Sequence, residues 1–376
     1  MDIEDLPTPS LILDRAVVTR NTQRMAARMA ERGVALRPHC KTAKSAAVAK
    51  LATAGHSGAI TVSTLAEAAY FLSHGFTDIA YAVCLAPNKV AAAAALIAKG
   101  ADLTVIVDSI DAAQAIAGHA GPEVFRVLVE IDCGDARTGL LPDAPDLLDI
   151  ARIVHDSPRA ELRGVLTHGG HSYGEKDIAG IRKIAREERE AVTRAARRLR
   201  DAGLPCPVVS AGSTPTAMHG ESYEGITEMR PGVYVFFDLD QLSRQACGPD
   251  DLALSVLGTV IAHNRHTGQI VTDTGALAMS KDISANARWP DAGYGAVCDA
   301  RTLAPIAGLH VAKVSQEHGI VPVTDPALYD LLPIGAKIRV LPNHACITAS
   351  AYPHYEVVEG TEVVDRWERI SGWTLS

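Results

Sequence analysis

Residues 102–131, DLTVIVDSIDAAQAIAGHAGPEVFRVLVEI, decide the fold. The run at 102–107 is rich in Val, Ile and Leu with little alternation, which predicts a strand buried on both faces. Residues 109–118 have helical spacing, and the apolar run at 124–131 predicts a second buried strand. A strand, a helix and a strand in this short span are typical of a parallel sheet with a helical crossover.

The same alternation continues on both sides of this segment. Apolar runs predict further strands at 34–38, 58–62, 78–83, 162–167, 207–210 and 233–237. Helical stretches lie between them at 43–54, 64–74, 87–99, 143–156 and 176–202. Eight strands with helical crossovers predict an α/β fold of the (β/α)8 TIM-like barrel type. An open, doubly wound sheet has the same pattern and remains an alternative.

The pattern changes near QACGPDD, residues 245–251. From about residue 250 the predicted strands follow one another closely, with turns between them and no long helix. Such a pattern is typical of an all-β domain. We therefore expect a barrel followed by a C-terminal all-β domain.

Composition excludes several classes of function. Hydrophobic residues make up 47% of the chain and charged residues 21%, which supports a packed core. The formal net charge of −8 gives no attraction for nucleic acid, and no apolar run reaches the roughly 20 residues that span a bilayer. The acidic N-terminus has no basic segment typical of a signal peptide, so we expect a cytoplasmic protein.

The motif RPHCKTAKS, residues 37–45, follows the first predicted barrel strand. In such barrels the active site lies where the strands end. A lysine there can be desolvated, which makes its amine nucleophilic and able to form a Schiff base. Lys41, close to His39, is the candidate, with Lys44 as a second lysine in the same loop. The alternative is a solvent-exposed lysine at the start of a helix.

Two glycine turns late in the predicted barrel suggest a phosphate site. In SAGSTPTA, residues 210–217, a strand runs into a Gly-Ser-Thr turn before Pro215, and N–H groups at such a position bind phosphate. The segment RPGVYVFFD, residues 230–238, adds a second glycine turn and the hydroxyl of Tyr234. A simple turn between strand and helix is the alternative.

Polar side chains follow two further predicted strands. EIDCGDARTGL, residues 130–140, contains Arg137, which either places a positive charge in the site or lies at the surface. LTHGGHSY, residues 166–173, brings His168 and Tyr173 close together at one strand end. Imidazole and phenol groups can transfer protons or stack on a flat ring, and the glycines allow a ligand to approach closely.

A possible metal site lies in the β domain. In LPNHACITA, residues 341–349, His344 and Cys346 would point to the same side of a strand. Imidazole and thiolate are common zinc ligands, and a pair leaves positions open for water or substrate. A structural histidine beside a buried cysteine is the alternative. Gln316, in VSQEHGI, is a further polar residue among apolar strands.

In this order, the motifs RPHCKT, GSTPT, GVYVFFD, QEHG and LPNHAC resemble one family. It is the fold-type III pyridoxal-phosphate family with an alanine-racemase-like N-terminal barrel, in its group of metal-activated D-serine dehydratases and D-threonine aldolases. The resemblance covers nearly the whole chain. It implies a barrel over 15–245 and a β-strand domain made of 1–14 and 250–376, with SLILD (10–14) pairing into the latter. It also implies a homodimer.

The resemblance assigns roles to the motif residues. Lys41 corresponds to the lysine that binds pyridoxal 5′-phosphate, and Arg137 to the residue that faces the pyridine nitrogen. His344 and Cys346 correspond to the metal ligands. The remaining expected cofactor contacts are His168, Tyr173, Gly212, Ser213, Thr214, Gly232 and Tyr234, and the expected substrate contacts are Tyr173 and Gln316.

The implied activity is that of a dehydratase dependent on pyridoxal phosphate and a divalent metal. Its substrate is a small β-hydroxy-D-amino acid: 3-hydroxy-D-aspartate would give oxaloacetate and ammonia, and D-serine would give pyruvate and ammonia. A cysteine at position 346, where the aldolases have aspartate, favours the dehydratases and favours Zn²⁺ over Mn²⁺ or Mg²⁺. Retro-aldol cleavage as in D-threonine aldolase, racemisation and a cofactor carrier remain alternatives.

Overall fold

The computed structural model describes residues 1–374, which form two compact units. The barrel unit comprises residues 23–232 and the C-terminal residues from Gly372, and the β unit comprises residues 1–22 and 233–371. Residues 15–22 and 233–245, which we expected in the barrel, thus lie in the β unit. The last two residues of the expected range 250–376 lie outside the described residues.

The chain begins in the β unit with strand β1 (Ser10–Asp14) and passes into the barrel unit through helix α1 (Arg15–Glu31). The barrel strands are β2 (Ala35–Leu36), β3 (Ile60–Val62), β4 (Asp78–Cys84), β5 (Asp102–Val107), β6 (Phe125–Ile131), β7 (Ala160–Thr167), β8 (Val208–Ala211) and β9 (Glu228–Met229). The helices between them are α2 (Ala46–Ala52), α3 (Leu65–Ser73), α4 (Val90–Ala98), α5 (Ile110–Ala117), α6 (Asp146–His155), α7 (Ile178–Asp201) and α8 (Thr214–His219).

The eight strands of the barrel unit are parallel and close on themselves. Their order is β2-β9-β8-β7-β6-β5-β4-β3. The two ends of this order meet after β2, where Cys40 N–H donates to the Thr61 carbonyl and Thr61 N–H donates to the Pro38 carbonyl, each at 2.8 Å. The barrel that we predicted is therefore confirmed over the open sheet. Its strands consist largely of buried aliphatic residues, as the sequence indicated.

The last barrel strand differs from the prediction. We expected it at residues 233–237, but it is the two-residue strand Glu228–Met229. Val233–Val235 forms a buried 3-10 turn in the β unit, and the positive φ of Phe237 (49°) interrupts any extended run. The apolar composition correctly indicated burial, but it could not distinguish a strand from a buried turn.

The β unit is built around one large sheet. Its strands are β10 (Leu254–Asn264), β11 (Gln269–Thr272), β12 (Gly295–Asp299), β13 (Pro305–His310), β14 (Lys313–Val314), β15 (Gly319–Pro322), β16 (Lys337–Pro342), β17 (His354–Glu359) and β18 (Glu362–Glu368). Its helices are α9 (Leu239–Ser243), α10 (Ala276–Met279), α11 (Leu328–Leu331) and α12 (Ala345–Ala349). The main strand order is β13-β12-β16-β10-β1-β17-β18.

Strand β1 lies in the middle of this sheet. It pairs antiparallel with β10 and parallel with β17, so the expected pairing of SLILD with the β domain is confirmed. Its residues Leu11, Ile12 and Leu13 are almost completely buried. Within residues 1–374, no helix has the length and apolar character needed to cross a membrane.

Candidate active site

The loop that carries Lys41 follows β2 at the closed seam of the barrel. Lys41 is exposed, between the buried residues Cys40 and Thr42. Lys44, the other lysine of this loop, lies 3.1 Å from Oε1 of Glu67, whose side chain is completely buried. Because Lys44 already neutralises a buried carboxylate, Lys41 is the better candidate for a chemical role.

Two histidines lie close to Lys41 and are neutral. Burial, followed by the charges of Lys41 and Arg230, holds the pKa of His39 well below its usual value. Burial, followed by the charge of Lys41, lowers the pKa of His168 to about 3. The Nδ1 atom of His168 lies 3.0 Å from the Gly212 carbonyl oxygen. Since a neutral ring must donate its proton there, its Nε2 atom is left as an acceptor.

The predicted phosphate turn follows β8 directly. Gly212 has φ +110°, and the Ser213 side chain caps α8 by accepting from the Thr216 N–H at 3.2 Å. The hydroxyl of Thr214 is buried and has no hydrogen-bond partner within residues 1–374. A buried hydroxyl without a partner is costly. A phosphate oxygen is an acceptor of the kind that this hydroxyl lacks, so the turn fits a phosphate group.

The second predicted glycine turn also lies near Lys41. A Cβ atom added to Gly232 would lie 3.1 Å from the His39 carbonyl oxygen and 3.3 Å from Oγ1 of Thr42. These two backbone segments therefore approach closely, and any side chain at position 232 would be crowded. Tyr234 belongs to the β unit, where it is completely buried in the turn Val233–Val235. Its contact with phosphate remains a prediction.

Arg137 and Tyr173 lie on barrel loops. Arg137 is exposed, with Nη1 3.8 Å from Oδ2 of Asp135, and its charge contributes to the lowered pKa of His168 after the larger effects of burial and Lys41. Tyr173 is half-buried in the 3-10 turn Gly170–Gly174 that follows β7. Arg137 is thus near His168, while the individual roles of Arg137 and Tyr173 toward a ligand remain predictions.

Two further charged residues of the barrel are buried beside these loops, and only Glu188 has no counterpart in the sequence analysis. Arg230 is 4% exposed and donates to the Ser210 hydroxyl and to the carbonyl oxygens of Ala211 and Thr167. Glu188, on α7, is 2% exposed and accepts from backbone N–H groups of two loops. Glu188 has no sequence signal, because a charged residue on a polar helix face usually lies at the surface.

A third group in the barrel contains possible metal ligands. One ligand atom each from Cys84, Asp108 and Glu130 lie within 4.8 Å of one another. The Cys84 thiol donates to Glu130 Oε2 at 2.8 Å, and burial together with the Glu130 charge raises the pKa of Cys84 far above its usual value. Cys84 and Glu130 are thus directly joined within this group.

The predicted metal ligands lie in the β unit, but not on a strand. Strand β16 ends at Pro342, His344 precedes α12, and Cys346 is the second residue of that helix. The expectation of a common strand face was therefore wrong. The two side chains nevertheless meet, since His344 is hydrogen-bonded to Cys346. The helical turn brings them together where we expected an extended backbone to do so.

Asp282 is the residue that the sequence analysis missed at this site. Its Oδ2 atom lies 2.6 Å from Nδ1 of His344, and this hydrogen bond lowers the pKa of Asp282 to about 2. Burial alone would lower the pKa of His344. The charge of Cys346 and the hydrogen bonds to Asp282 and Cys346 outweigh this effect, so the pKa of His344 is raised. The carboxylate at Nδ1 leaves Nε2 as the metal-binding atom, so the donor set fits a zinc ion.

The backbone around His344 is fixed on both sides. The Asn343 side chain accepts from the Ala285 N–H at 2.7 Å and donates to the Gly293 carbonyl at 2.9 Å. The Ala345 N–H donates to Oδ2 of Asp238 at 2.9 Å. Gln316, by contrast, is exposed between β14 and β15, and its predicted contact with substrate is untested.

Comparison with known proteins places these features in one family. The family model described as alanine racemase, N-terminal domain, matches residues 13–240, and that described as putative serine dehydratase domain matches residues 253–358. The chain is 44% identical over 375 residues to D-threo-3-hydroxyaspartate dehydratase of Delftia sp. strain HT23, covering 98% of each chain. It is 30% identical to D-serine dehydratase of Dictyostelium discoideum, over 99% of this chain and 98% of that one. A D-threonine aldolase of an Arthrobacter species is 28% identical, over 96% and 91%.

Solved structures agree with these relationships. The structure of the Delftia dehydratase has a TM-score of 0.95 and 44% identity, covering 99% of this chain and 100% of that one. Two variants of D-threo-3-hydroxyaspartate dehydratase have the same TM-score of 0.95. One has alanine in place of a histidine, and the other has alanine in place of a cysteine two positions further on. The cysteine variant is described as a metal-free form. The chain belongs to the fold-type III pyridoxal-phosphate family, in the branch that joins an alanine-racemase N-terminal domain to a serine dehydratase domain.

Proposed function

We propose that this protein is a dehydratase that uses pyridoxal phosphate and zinc to convert 3-hydroxy-D-aspartate to oxaloacetate and ammonia. The observation that carries the proposal is the contact between the side chains of His344 and Cys346, with Asp282 bound to Nδ1 of His344. Identity of 44% to D-threo-3-hydroxyaspartate dehydratase over nearly the whole chain supports this substrate. D-Serine, which would give pyruvate and ammonia, is a second substrate of the same chemical class, supported by the D-serine dehydratase relative.

Pyridoxal phosphate is assigned to the barrel unit. Lys41 would bind its aldehyde carbon, and the phosphate would lie against Gly212, Ser213 and Thr214. The buried hydroxyl of Thr214 supports this assignment, because a phosphate oxygen supplies the acceptor it lacks. Gly232 and Tyr234 would complete the phosphate contacts, Arg137 would face the pyridine nitrogen, and His168 and Tyr173 would contact the cofactor.

Zinc is assigned to the β unit. His344 Nε2 and Cys346 Sγ would hold the ion, since Asp282 occupies His344 Nδ1. A thiolate is a softer ligand than a carboxylate, which favours Zn²⁺ over Mn²⁺ and Mg²⁺. Two protein ligands leave coordination positions for water and substrate, as expected for a catalytic metal. Gln316 is proposed as a substrate contact.

The cofactor, the zinc ion and Lys41 would each supply a different part of the dehydration reaction. When bound, pyridoxal phosphate stabilises negative charge at the substrate Cα, and zinc acts as a Lewis acid on the β-hydroxyl group. Lys41 Nζ removes the α-proton of the substrate as general base. Because His39 and His168 are neutral, their rings can form hydrogen bonds near Lys41 without adding positive charge to the site. Loss of the hydroxyl group and hydrolysis then yield the 2-oxo acid and ammonia.

Retro-aldol cleavage is the second candidate, supported by the D-threonine aldolase relative. The same lysine and metal could serve it, but the base would take the proton of the β-hydroxyl group and the products would be glycine and an aldehyde. Release of ammonia or of glycine therefore separates the two reactions. The expected cytoplasmic homodimer remains part of the proposal, and light scattering after gel filtration tests the dimer.

A substrate panel tests the proposed function. Both 3-hydroxy-D-aspartate diastereomers, D-serine and D-threonine would be assayed for ammonia and glycine, before and after chelation and after addition of Zn²⁺. We expect ammonia from 3-hydroxy-D-aspartate, its loss on chelation, and its recovery with Zn²⁺. Lys41→Ala should abolish both activity and the absorbance of lysine-bound cofactor, whereas Lys50→Ala, at an exposed position of α2, should change neither. Glycine as the product, or full activity after chelation, would refute the proposal.

A further inference from the structure

Glu188 is a buried carboxylate in the centre of α7. It is 2% exposed, although α7 is otherwise rich in exposed charged residues. Its Oε1 atom accepts two backbone hydrogen bonds, from Gly169 N–H at 2.6 Å and from Gly212 N–H at 3.0 Å. Gly169 follows β7 and Gly212 follows β8, so one oxygen atom joins two neighbouring loops of the barrel.

Both of these loops carry residues that we assign to the cofactor. His168 immediately precedes Gly169, and Ser213 immediately follows Gly212. The Gly212 peptide is held at its N–H by Glu188, and its own carbonyl oxygen accepts from His168 at 3.0 Å. The Gly212 backbone is therefore fixed from two directions, and the position of the His168 ring depends on the same contacts.

The fit between Glu188 and the loops is close. A Cβ atom added to Gly169 would lie 3.2 Å from both Cδ and Oε1 of Glu188. A second link joins the loops nearby, where Oγ of Ser172 lies 3.1 Å from Oγ of Ser213. Burial raises the pKa of Glu188, and the N–H donors of Gly169 and Gly212 oppose this effect. Burying a carboxyl group costs free energy. In return, its hydrogen bonds to the N–H groups of Gly169 and Gly212 hold the two loops together, which an apolar side chain could not do.

We propose that Glu188 is a positioning residue for the cofactor. It sets the distance between the His168 loop and the turn Gly212–Thr214, so that ring and phosphate contacts are in place before the cofactor binds. The inference rests on the proposed use of pyridoxal phosphate, but it concerns a residue to which we assign no contact with the cofactor or the substrate.

The test compares Glu188→Gln with Glu188→Ala in the cofactor-free, full-length protein. Pyridoxal phosphate would be titrated into each variant, with binding followed by absorbance and by visible circular dichroism. Glutamine retains an acceptor oxygen for both N–H groups, so we expect affinity and spectrum close to those of the unmodified protein. Alanine leaves two buried donors without an acceptor, and we expect affinity to fall about tenfold or more, with a changed dichroism of the bound cofactor.

Two further variants separate positioning from general stability. Glu190→Ala lies on the same helix at an exposed position and should bind the cofactor normally. If Glu188→Ala does not fold, Ser172→Ala removes the second link between the loops and should weaken binding in the same direction.

Three outcomes would overturn the inference. The first is normal cofactor affinity and a normal dichroism spectrum in a folded Glu188→Ala variant. The second applies if Glu188→Ala does not fold, and is normal affinity and spectrum in Ser172→Ala. The third is a loss of affinity in Glu188→Gln as large as that in Glu188→Ala. The last would mean that the charge and not the link matters. Failure of the unmodified protein to bind pyridoxal phosphate would instead refute the proposed function, and the inference with it.

Discussion

The imidazole of His344 and the carboxylate of Asp282 are joined by a hydrogen bond of 2.6 Å between Nδ1 and Oδ2. The bond connects two loops that are 62 residues apart in sequence. A carboxylate in this position fixes the ring orientation of a metal-binding histidine and increases the basicity of its other nitrogen. Asp282 thus leaves Nε2 as the His344 nitrogen for the proposed metal.

Replacement of Asp282 by Asn should weaken zinc binding. The amide cannot supply the same charge to the imidazole, and such changes commonly lower metal affinity by about 10- to 100-fold. Competition titration against a chelator measures the Kd directly, without reference to activity. Asp291→Asn, an exposed position in the 3-10 turn Pro290–Ala292, is the control and should bind zinc normally. An unchanged Kd for Asp282→Asn would remove this role from Asp282.

Gly212→Ala should destabilise the barrel unit and weaken cofactor binding. The backbone has φ +110°, and the added Cβ would lie only 2.8 Å from Cε of Met229 and 3.1 Å from the Arg230 nitrogen. We expect a loss of at least about 1 kcal/mol in the free energy of unfolding. Gly203→Ala is a matched control, because Gly203 also has positive φ (74°) but has no atom within 4 Å of the added Cβ. Equal losses in the two variants would show that the contact with Met229 is unimportant.

The neutral state of His168 predicts a specific dependence of stability on pH. Its pKa is about 3 in the folded protein and about 6.5 when unfolded, so the unfolded chain binds more protons between these values. The stability that His168 contributes is therefore fully present above pH 6.5 and is lost as pH falls toward 3. His168→Asn keeps a donor for Gly212 but does not titrate.

Urea unfolding of the cofactor-free proteins between pH 7.5 and 4.5 measures this effect. The unfolding free energy of the His168→Asn variant should fall less steeply with decreasing pH than that of the unmodified protein. The limit for one group is about 1.4 kcal/mol per pH unit. The charge of His168 also helps to lower the pKa of His39, so the measured difference includes this coupling, which acts in the same direction. Parallel curves would contradict a neutral, buried His168.

Lys44 and Trp373 should contribute unequally to stability. Lys44 Nζ lies 5.0 Å from the centroid of the Trp373 ring, which is 79% exposed, and 3.1 Å from the buried Glu67. Trp373→Ala removes an exposed cation–π contact, worth about 0.5–1 kcal/mol. Lys44→Ala leaves a buried carboxylate without its cation, which costs about 3–5 kcal/mol. Urea unfolding compares the two variants, and an equal or larger effect of Trp373→Ala would contradict the assignment.

The sequence predicted features that depend on local pattern. Buried aliphatic strands were recognised because both faces of a barrel strand are covered, and the strand at 10–14 was located to the residue. The two-residue strand Glu228–Met229 was missed because it is too short to show any periodicity. His344 and Cys346 were selected by residue type, spacing and family resemblance, but the helix that brings them together was mistaken for a strand.

The residues that organise the site were harder to predict. Asp282 and Glu188 are ordinary acids in the sequence, one in a polar loop and one among many charges on a long helix. Their importance comes from partners brought close by the tertiary fold: His344 for Asp282, and Gly169 and Gly212 for Glu188. Only strong local motifs identify a site from sequence, whereas its supporting residues require coordinates.

The position of β1 has a consequence for synthesis of the chain. This strand is synthesised before the barrel residues 23–232, yet Leu13 pairs with Leu254 on one side and Val357 on the other. The apolar side chains of β1 therefore have no sheet neighbour in the nascent chain until long after the barrel residues 23–232 have been made. An unpaired apolar strand is prone to aggregation. We expect β1 to depend on chaperones in the nascent chain until its partner residues 254–257 and 356–358 have been made.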